Sequence, residues 1–134
     1  MAKVLVVEDN LANQRLVRLL LESMQHEVEC AFTGEEGWAR IQGGGYDLVL
    51  LDMHLPGLDG FQLARRIKAI HGQGVKVYAV TALAMEGDQQ KVMESGCDGY
   101  FSKPISIRDF RTRISEILGG GEQLTTSTKG AGDG

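Results

Sequence analysis

The sequence predicts a doubly wound α/β domain: a five-stranded parallel sheet with helices on both faces, built as a (βα)5 chain. Three observations carry this. Five strand-like runs alternate strictly with five helical patterns from end to end, which calls for crossover helices covering both sides of one sheet. Two of the runs, Lys3-Val4-Leu5-Val6-Val7 and Leu48-Val49-Leu50-Leu51, are nearly continuous in apolar residues, as strands buried on both faces must be. The third observation is chemical: polar residues stand where strands end. Glu8 and Asp9 follow the first strand, Asp52 the third, Thr81 the fourth and Lys103 the last. In an open parallel sheet those ends share one edge, where ligands bind.

Each element follows from local pattern. The first strand covers 3–7. A helix is predicted over 11–24, with Asn10 as N-cap, Leu16, Leu19 and Leu20 inward and Arg15, Arg18 and Glu22 outward. Residues 27–31 alternate polar and apolar, suiting a strand near the sheet edge. Thr33 caps a helix over 35–42 that carries Trp38 and Ile41 and stops at Gly43-Gly44-Gly45. The most apolar run, 46–51, reads as a central strand, and Pro56, Gly57 and Gly60 mark the loop after it. A helix over 61–70 presents Phe61, Leu63, Ala64, Ile67 and Ile70 on its apolar face, with Arg65, Arg66 and Lys68 exposed. A strand over 75–80 ends at Thr81, and a weaker helix over 85–95 is closed by Gly96. A short strand over 99–101 and a helix over 107–118, with Phe110, Ile114, Ile117 and Leu118 inward, complete the fold. Beyond 118 the Gly/Thr/Ser-rich stretch lacks the side chains of a core, so 1–118 is expected to be the domain and 119–134 a flexible tail or linker stub.

The 134 residues suit one ordinary domain, and 43% hydrophobic with 24% charged residues is the balance of a globular protein. A net charge of -4 disfavours nonspecific binding to nucleic acid or an anionic membrane. No apolar run reaches the ~20 residues of a membrane span, and a cytoplasmic location is expected. Cys30 and Cys97 have no metal-type spacing. They read as small buried hydrophobes rather than a disulfide.

The strand ends bring carboxylates, a hydroxyl and an ammonium into one crevice. Such a concentration of acid is unfavourable unless a divalent cation joins it, and with one it suits phosphoryl transfer.

Taken together, Val7-Glu8-Asp9-Asn10, the run from Leu51-Asp52-Met53-His54 to Pro56-Gly57-Leu58-Asp59-Gly60, Val80-Thr81-Ala82 and Lys103-Pro104 resemble the response-regulator receiver family of two-component signalling. The resemblance implies a flavodoxin-like sheet of order 2-1-3-4-5. It also implies that Asp52 accepts a phosphoryl group from a histidine kinase or histidine phosphotransfer protein. Magnesium is the implied cofactor, with Asp9, Asp52 and the backbone carbonyl of His54 as ligands and Glu8 acting through water. Lys103 would pair with Asp52 at rest and with phosphoryl oxygen afterwards, and Thr81 would donate its hydroxyl to another oxygen. Tyr100 matches the family's switch aromatic, and the Lys103-Pro104 bond is typically cis. His54 and Leu83 would flank the path of the hydrolytic water. A downstream protein partner would read the change on a surface formed by 84–95, Tyr100 and the helix from Ile107. Neither nucleic acid nor membrane is expected as a direct partner.

Other readings make different demands. The same chain could be a receiver cut from a hybrid histidine kinase. A phosphatase with an aspartate nucleophile generally places a second carboxylate two residues later, where this chain has His54. A flavin carrier of the same fold pattern needs a phosphate-cradling loop after the first strand, where Glu8-Asp9-Asn10 repels phosphate. The expected role is therefore a switch, whose only catalysis is its own phosphorylation and dephosphorylation.

Overall fold

The computed structural model describes residues 1–82 and 86–119. Leu83, Ala84 and Met85, and the tail beyond Gly119, lie outside the described residues. The elements run β1 (Lys3–Val7), α1 (Leu11–Ser23), β2 (Glu27–Ala31), α2 (Gly34–Gly43), β3 (Leu48–Asp52), α3 (Gly60–His71), β4 (Lys76–Thr81), α4 (Glu86–Glu94), β5 (Gly99–Ser102) and α5 (Ile107–Ile117), with a 3-10 turn over Gly72–Gly74. The strands form one parallel sheet ordered β2-β1-β3-β4-β5. Expected boundaries shift by one or two residues. The largest shift is at β3, which starts at Leu48 rather than at the buried Tyr46.

Period-two alternation divides the strand side chains between two cores. Leu5, Val7, Val49 and Leu51 face one side, with Ile41, Leu63 and Ile67 of α2 and α3. Val4, Val6, Leu48 and Leu50 face the other, with Val17 and Leu21 of α1 and Phe110 and Ile114 of α5. Each fully buried aliphatic or aromatic side chain contributes about 2 kcal/mol. The sheet faces therefore hold the helices more firmly than helix propensity does, at a few tenths of a kcal/mol per residue. Caps set where the helices start. Asn10, Thr33 and Ser106 each accept from a backbone N–H three residues on, and Asp59 and Gln62 form a reciprocal capping box at α3.

Several side chains lie elsewhere than their spacing implies. Leu19 is 65% exposed, because the inward stripe of α1 is Gln14, Val17, Leu20 and Leu21. At 100° per residue Leu19 points roughly 200° away from Val17. Ile70 shares the face of Leu63 but is 62% exposed in the last turn of α3, where the chain leaves for the 3-10 turn. Lys68, expected in solvent, lies 2.7 Å from Asp98 and donates to the carbonyls of Gly72 and Val75. Cys97 is buried as expected, whereas Cys30 on the edge strand β2 is only half-buried, and both are free thiols. Among the described residues no helix is long and apolar enough to cross a membrane.

Candidate functional site

Strand register builds the site. Val7 pairs with Leu51, so Glu8 and Asp52 emerge side by side from β1 and β3. Asp52 pairs with Val80, which brings Thr81 out one residue later on β4. Thr81 pairs with Ser102, so Lys103 emerges one residue further on β5. A parallel sheet with these four pairings cannot keep the polar strand ends apart.

Carboxylate oxygens of Glu8, Asp9 and Asp52 all lie within 4.8 Å of one another. Glu8 and Asp52 are buried and Asp9 is exposed, so the cluster opens to solvent on the Asp9 side. Lys103 Nζ lies 3.0 Å from Glu8 Oε1 and 3.4 Å from Asp52 Oδ2. The expected resting pair with Asp52 is thus a three-membered bridge in which Glu8 is the nearer partner. Asp52 Oδ1 accepts the His54 N–H at 3.0 Å, while the His54 side chain is exposed. Thr81 is 2% exposed at the end of β4, and its carbonyl accepts the Lys103 N–H at 2.9 Å. The Lys103–Pro104 bond is cis. Tyr100 is half-buried on β5, packed against the core on the α2 and α3 side of the sheet.

The electrostatics follow from this packing. Burial pushes the Glu8 carboxyl above its ordinary value and the Asp52 charge adds to the push, against the Lys103 contact and the Asn10 N–H, which both favour ionisation. For Lys103, burial alone would lower the pKa, but its hydrogen bonds and charge contacts with Glu8 and Asp52 outweigh this and raise it. One ammonium serves two buried carboxylates, and Asp9 adds a third carboxylate at the rim. Oxygen donors at this separation, open on one side to water, suit a small hard cation that keeps part of its water shell. The donor set fits magnesium.

Two residues that spacing did not single out support the site. Gln14 is buried in α1, and its amide donates to the carbonyls of Glu8 and Ala31 at 3.1 and 3.2 Å. It joins the ends of β1 and β2 directly beneath the acidic cluster. The available signal was a glutamine on the inward stripe of an otherwise apolar helix face. Glu35 reaches across from α2 and accepts the Leu58 N–H at 2.9 Å, securing the loop that follows Asp52. An exposed glutamate in the first turn of a helix gives no comparable signal.

This arrangement defines a class: an open α/β domain presenting an acidic, cation-ready pocket with a fixed ammonium at the carboxyl edge of its sheet. Residues 4–115 match the family described as the response regulator receiver domain. The chain is 36% identical over 117 residues to the polar-differentiation response regulator DivK of Brucella ovis, covering 87% of this chain and 95% of that protein. Among solved structures it superposes with a TM-score of 0.83 and 29% identity on one of Saccharomyces cerevisiae, the receiver domain of the response regulator Ssk1 together with the histidine phosphotransfer protein Ypd1, covering 92% of each chain. It is also similar to the receiver domain of the sensor histidine kinase PA1611 of Pseudomonas aeruginosa, with a magnesium ion coordinated in the active-site cleft, at a TM-score of 0.79 and 30% identity over 88% of this chain and 98% of that one. The chain belongs to the response regulator receiver family.

Proposed function

We propose that Asp52 is the phosphoacceptor of a two-component signalling switch. The observation that carries this is the meeting of three carboxylates within 4.8 Å around Asp52, with the Lys103 ammonium 3.4 Å from its Oδ2. A carboxylate oxygen of Asp52 attacks phosphorus of a phosphohistidine, the P–N bond breaks as the O–P bond forms, and the imidazole leaves with the electron pair. The donor is a histidine kinase or a histidine phosphotransfer protein, a reading supported by the partner solved with the yeast receiver. Asp9, Asp52 and the His54 carbonyl would hold magnesium directly, and Glu8 through water. When bound, magnesium offsets the charge shared by the carboxylates and the incoming phosphoryl oxygens.

The remaining roles fall to groups already in position. Lys103 exchanges a carboxylate oxygen for a phosphoryl oxygen. The Thr81 hydroxyl donates to a second oxygen, and Tyr100 turns inward as Thr81 moves. The output is protein binding on the face of α4, β5 and α5, where a groove of about 720 Å³ is lined by residues including Met93, Tyr100, Ile105, Phe110 and Arg113. The part of that surface expected at Ala84 lies outside the described residues. The domain acts in the cytoplasm without contacting nucleic acid or membrane, and turns over no substrate beyond its own acyl phosphate. Similarity to the receiver of a sensor histidine kinase supports a second setting for the same chemistry, within a hybrid kinase.

Acetyl phosphate with magnesium tests the assignment. Intact-protein mass spectrometry should show one hydroxylamine-labile phosphoryl group on the wild type and none on Asp52→Asn. Equal labelling of the variant would remove Asp52 from its role.

A further inference from the structure

We infer that Glu35 is a positioning residue for the phosphoacceptor site, acting from α2 through the β3–α3 loop. This deepens the proposed function and rests on it. The loop leaves Asp52, passes His54 and turns at Gly57, whose φ is +70°. The buried Leu58 lies between β3 and α3, where strand pairing cannot satisfy its N–H. Glu35 Oε2 accepts it at 2.9 Å. Both Glu35 carboxylate oxygens also lie against the face of Gly57: a Cβ built there would fall 2.7 and 3.1 Å from them. The neighbouring residue completes the seat, since a Cβ on Gly34 would fall 1.8 Å from the Leu58 carbonyl oxygen. The first turn of α2 is therefore in van der Waals contact with this loop, and the glutamate supplies its polar bond.

The loop matters because it carries the backbone of His54, which is bonded to Asp52. The His54 N–H holds Asp52 Oδ1 at 3.0 Å, and the proposed function assigns the His54 carbonyl as the backbone ligand of the cation. At the other end the loop is fixed by the Gly60 N–H to the Met53 carbonyl at 3.3 Å and by the Asp59 cap. Between these anchors, Glu35 supplies the only side-chain hydrogen bond to the backbone of residues 55–58 found among the described residues. Releasing Leu58 frees the loop that presents the His54 carbonyl, so cation affinity is expected to fall while the carboxylates stay in place. Glu35 is exposed and its role is acceptance of one N–H, so a neutral side-chain carbonyl of the same reach should replace it.

Amide exchange and magnesium titration followed by NMR on wild type, Glu35→Ala and Glu35→Gln test this in the whole chain. The Leu58 amide should exchange slowly in wild type and Glu35→Gln and rapidly in Glu35→Ala. Magnesium affinity should fall about tenfold in Glu35→Ala, the scale seen when partners outside the ligand shell are lost, and stay near wild type in Glu35→Gln. A Glu35→Ala protein that exposes the Leu58 amide yet binds magnesium normally overturns the positioning role alone. The positioning role also fails if Glu35→Gln weakens binding as much as Glu35→Ala, because the effect would then be charge. A wild type that binds no magnesium removes the cation site itself, and this inference with it.

Discussion

Lys103 and Glu8, residues from opposite ends of the chain, form the closest ion pair of the acidic pocket, at 3.0 Å, ahead of the 3.4 Å contact between Lys103 and Asp52. Among the described residues the lysine is the only cation placed against these two buried carboxylates, and neither contact satisfies both. A second cation, or loss of one negative charge, relieves the same imbalance.

Glu8→Gln should stabilise the metal-free protein at neutral pH. Burial holds the folded Glu8 carboxyl above the ordinary 4.5, so its ionisation costs more in the folded state than in the unfolded chain. That contribution is complete below pH 4.5 and is lost as pH rises through the raised folded value. In chelator at pH 7 the variant is expected to melt a few degrees above wild type, with the gap closing as pH falls toward 4.5. Thermal melts across this range decide it, and a variant that melts lower throughout shows that the Lys103 contact outweighs burial.

Lys103→Met leaves Glu8 and Asp52 buried without their ammonium. It should melt below wild type in chelator and recover most of the difference in millimolar magnesium, because a bound cation replaces the missing charge. Loss of stability that magnesium does not reverse would argue against one shared site.

Thr81→Ala should accept phosphate and fail to transmit it. Phosphorylation shifts a conformational equilibrium only through contacts that are better in the active state, and the proposed switch assigns one of these to the hydroxyl of the buried Thr81. The gain in partner affinity on phosphorylation should drop by roughly tenfold while labelling of Asp52 persists, as read by calorimetry against a protein isolated by its preference for the phosphorylated wild type. Undiminished gain would place the coupling elsewhere.

Gly34→Ala and Gly43→Ala should differ sharply although both lie in α2. A methyl on Gly34 meets the Leu58 carbonyl oxygen at 1.8 Å, which is backbone and cannot step aside, whereas nothing lies within 4 Å at Gly43. Urea unfolding should show a loss of about 3 kcal/mol for the first and a change of under about 1 kcal/mol for the second. Similar values for the two would mean that the loop yields freely to α2.

The fold was legible because its signals are periodic. Apolar runs and capping residues such as Asn10 and Thr33 fix strands and helices within a few residues, and alternation fixes the parallel sheet. Glu8, Asp9, Asp52, Thr81 and Lys103 were legible because chemistry-bearing side chains at strand ends converge whatever the fine packing. What escaped depends on rotation and reach. Leu19 has the right type but the wrong angle on α1, and Lys68 has a stem long enough to bring a surface charge inward. The contributions of Gln14 and Glu35 arise from contacts to backbone atoms distant in sequence, and side-chain type does not encode those. The preference of Lys103 for Glu8 over Asp52 is a matter of a few tenths of an ångström, which no pattern of residues reveals.

The Lys68–Asp98 contact lies at the opposite edge of the sheet from the acidic pocket. Lys68 Nζ also holds the Val75 carbonyl, and Asp98 Oδ2 accepts the Val77 N–H at 2.8 Å. Together they pin the starts of β4 and β5 to the end of α3. Slippage of β5 along β4 would have to break this half-buried charge pair and the backbone bond from Asp98 N–H to the Val77 carbonyl. The movement proposed to begin at Thr81 would therefore meet strands anchored at their far ends, like beams fixed in a wall. The pair can flex at the tips but cannot be drawn out, so in the proposed switch displacement would pass out of the sheet at the ends of β4 and β5 rather than being dissipated along it.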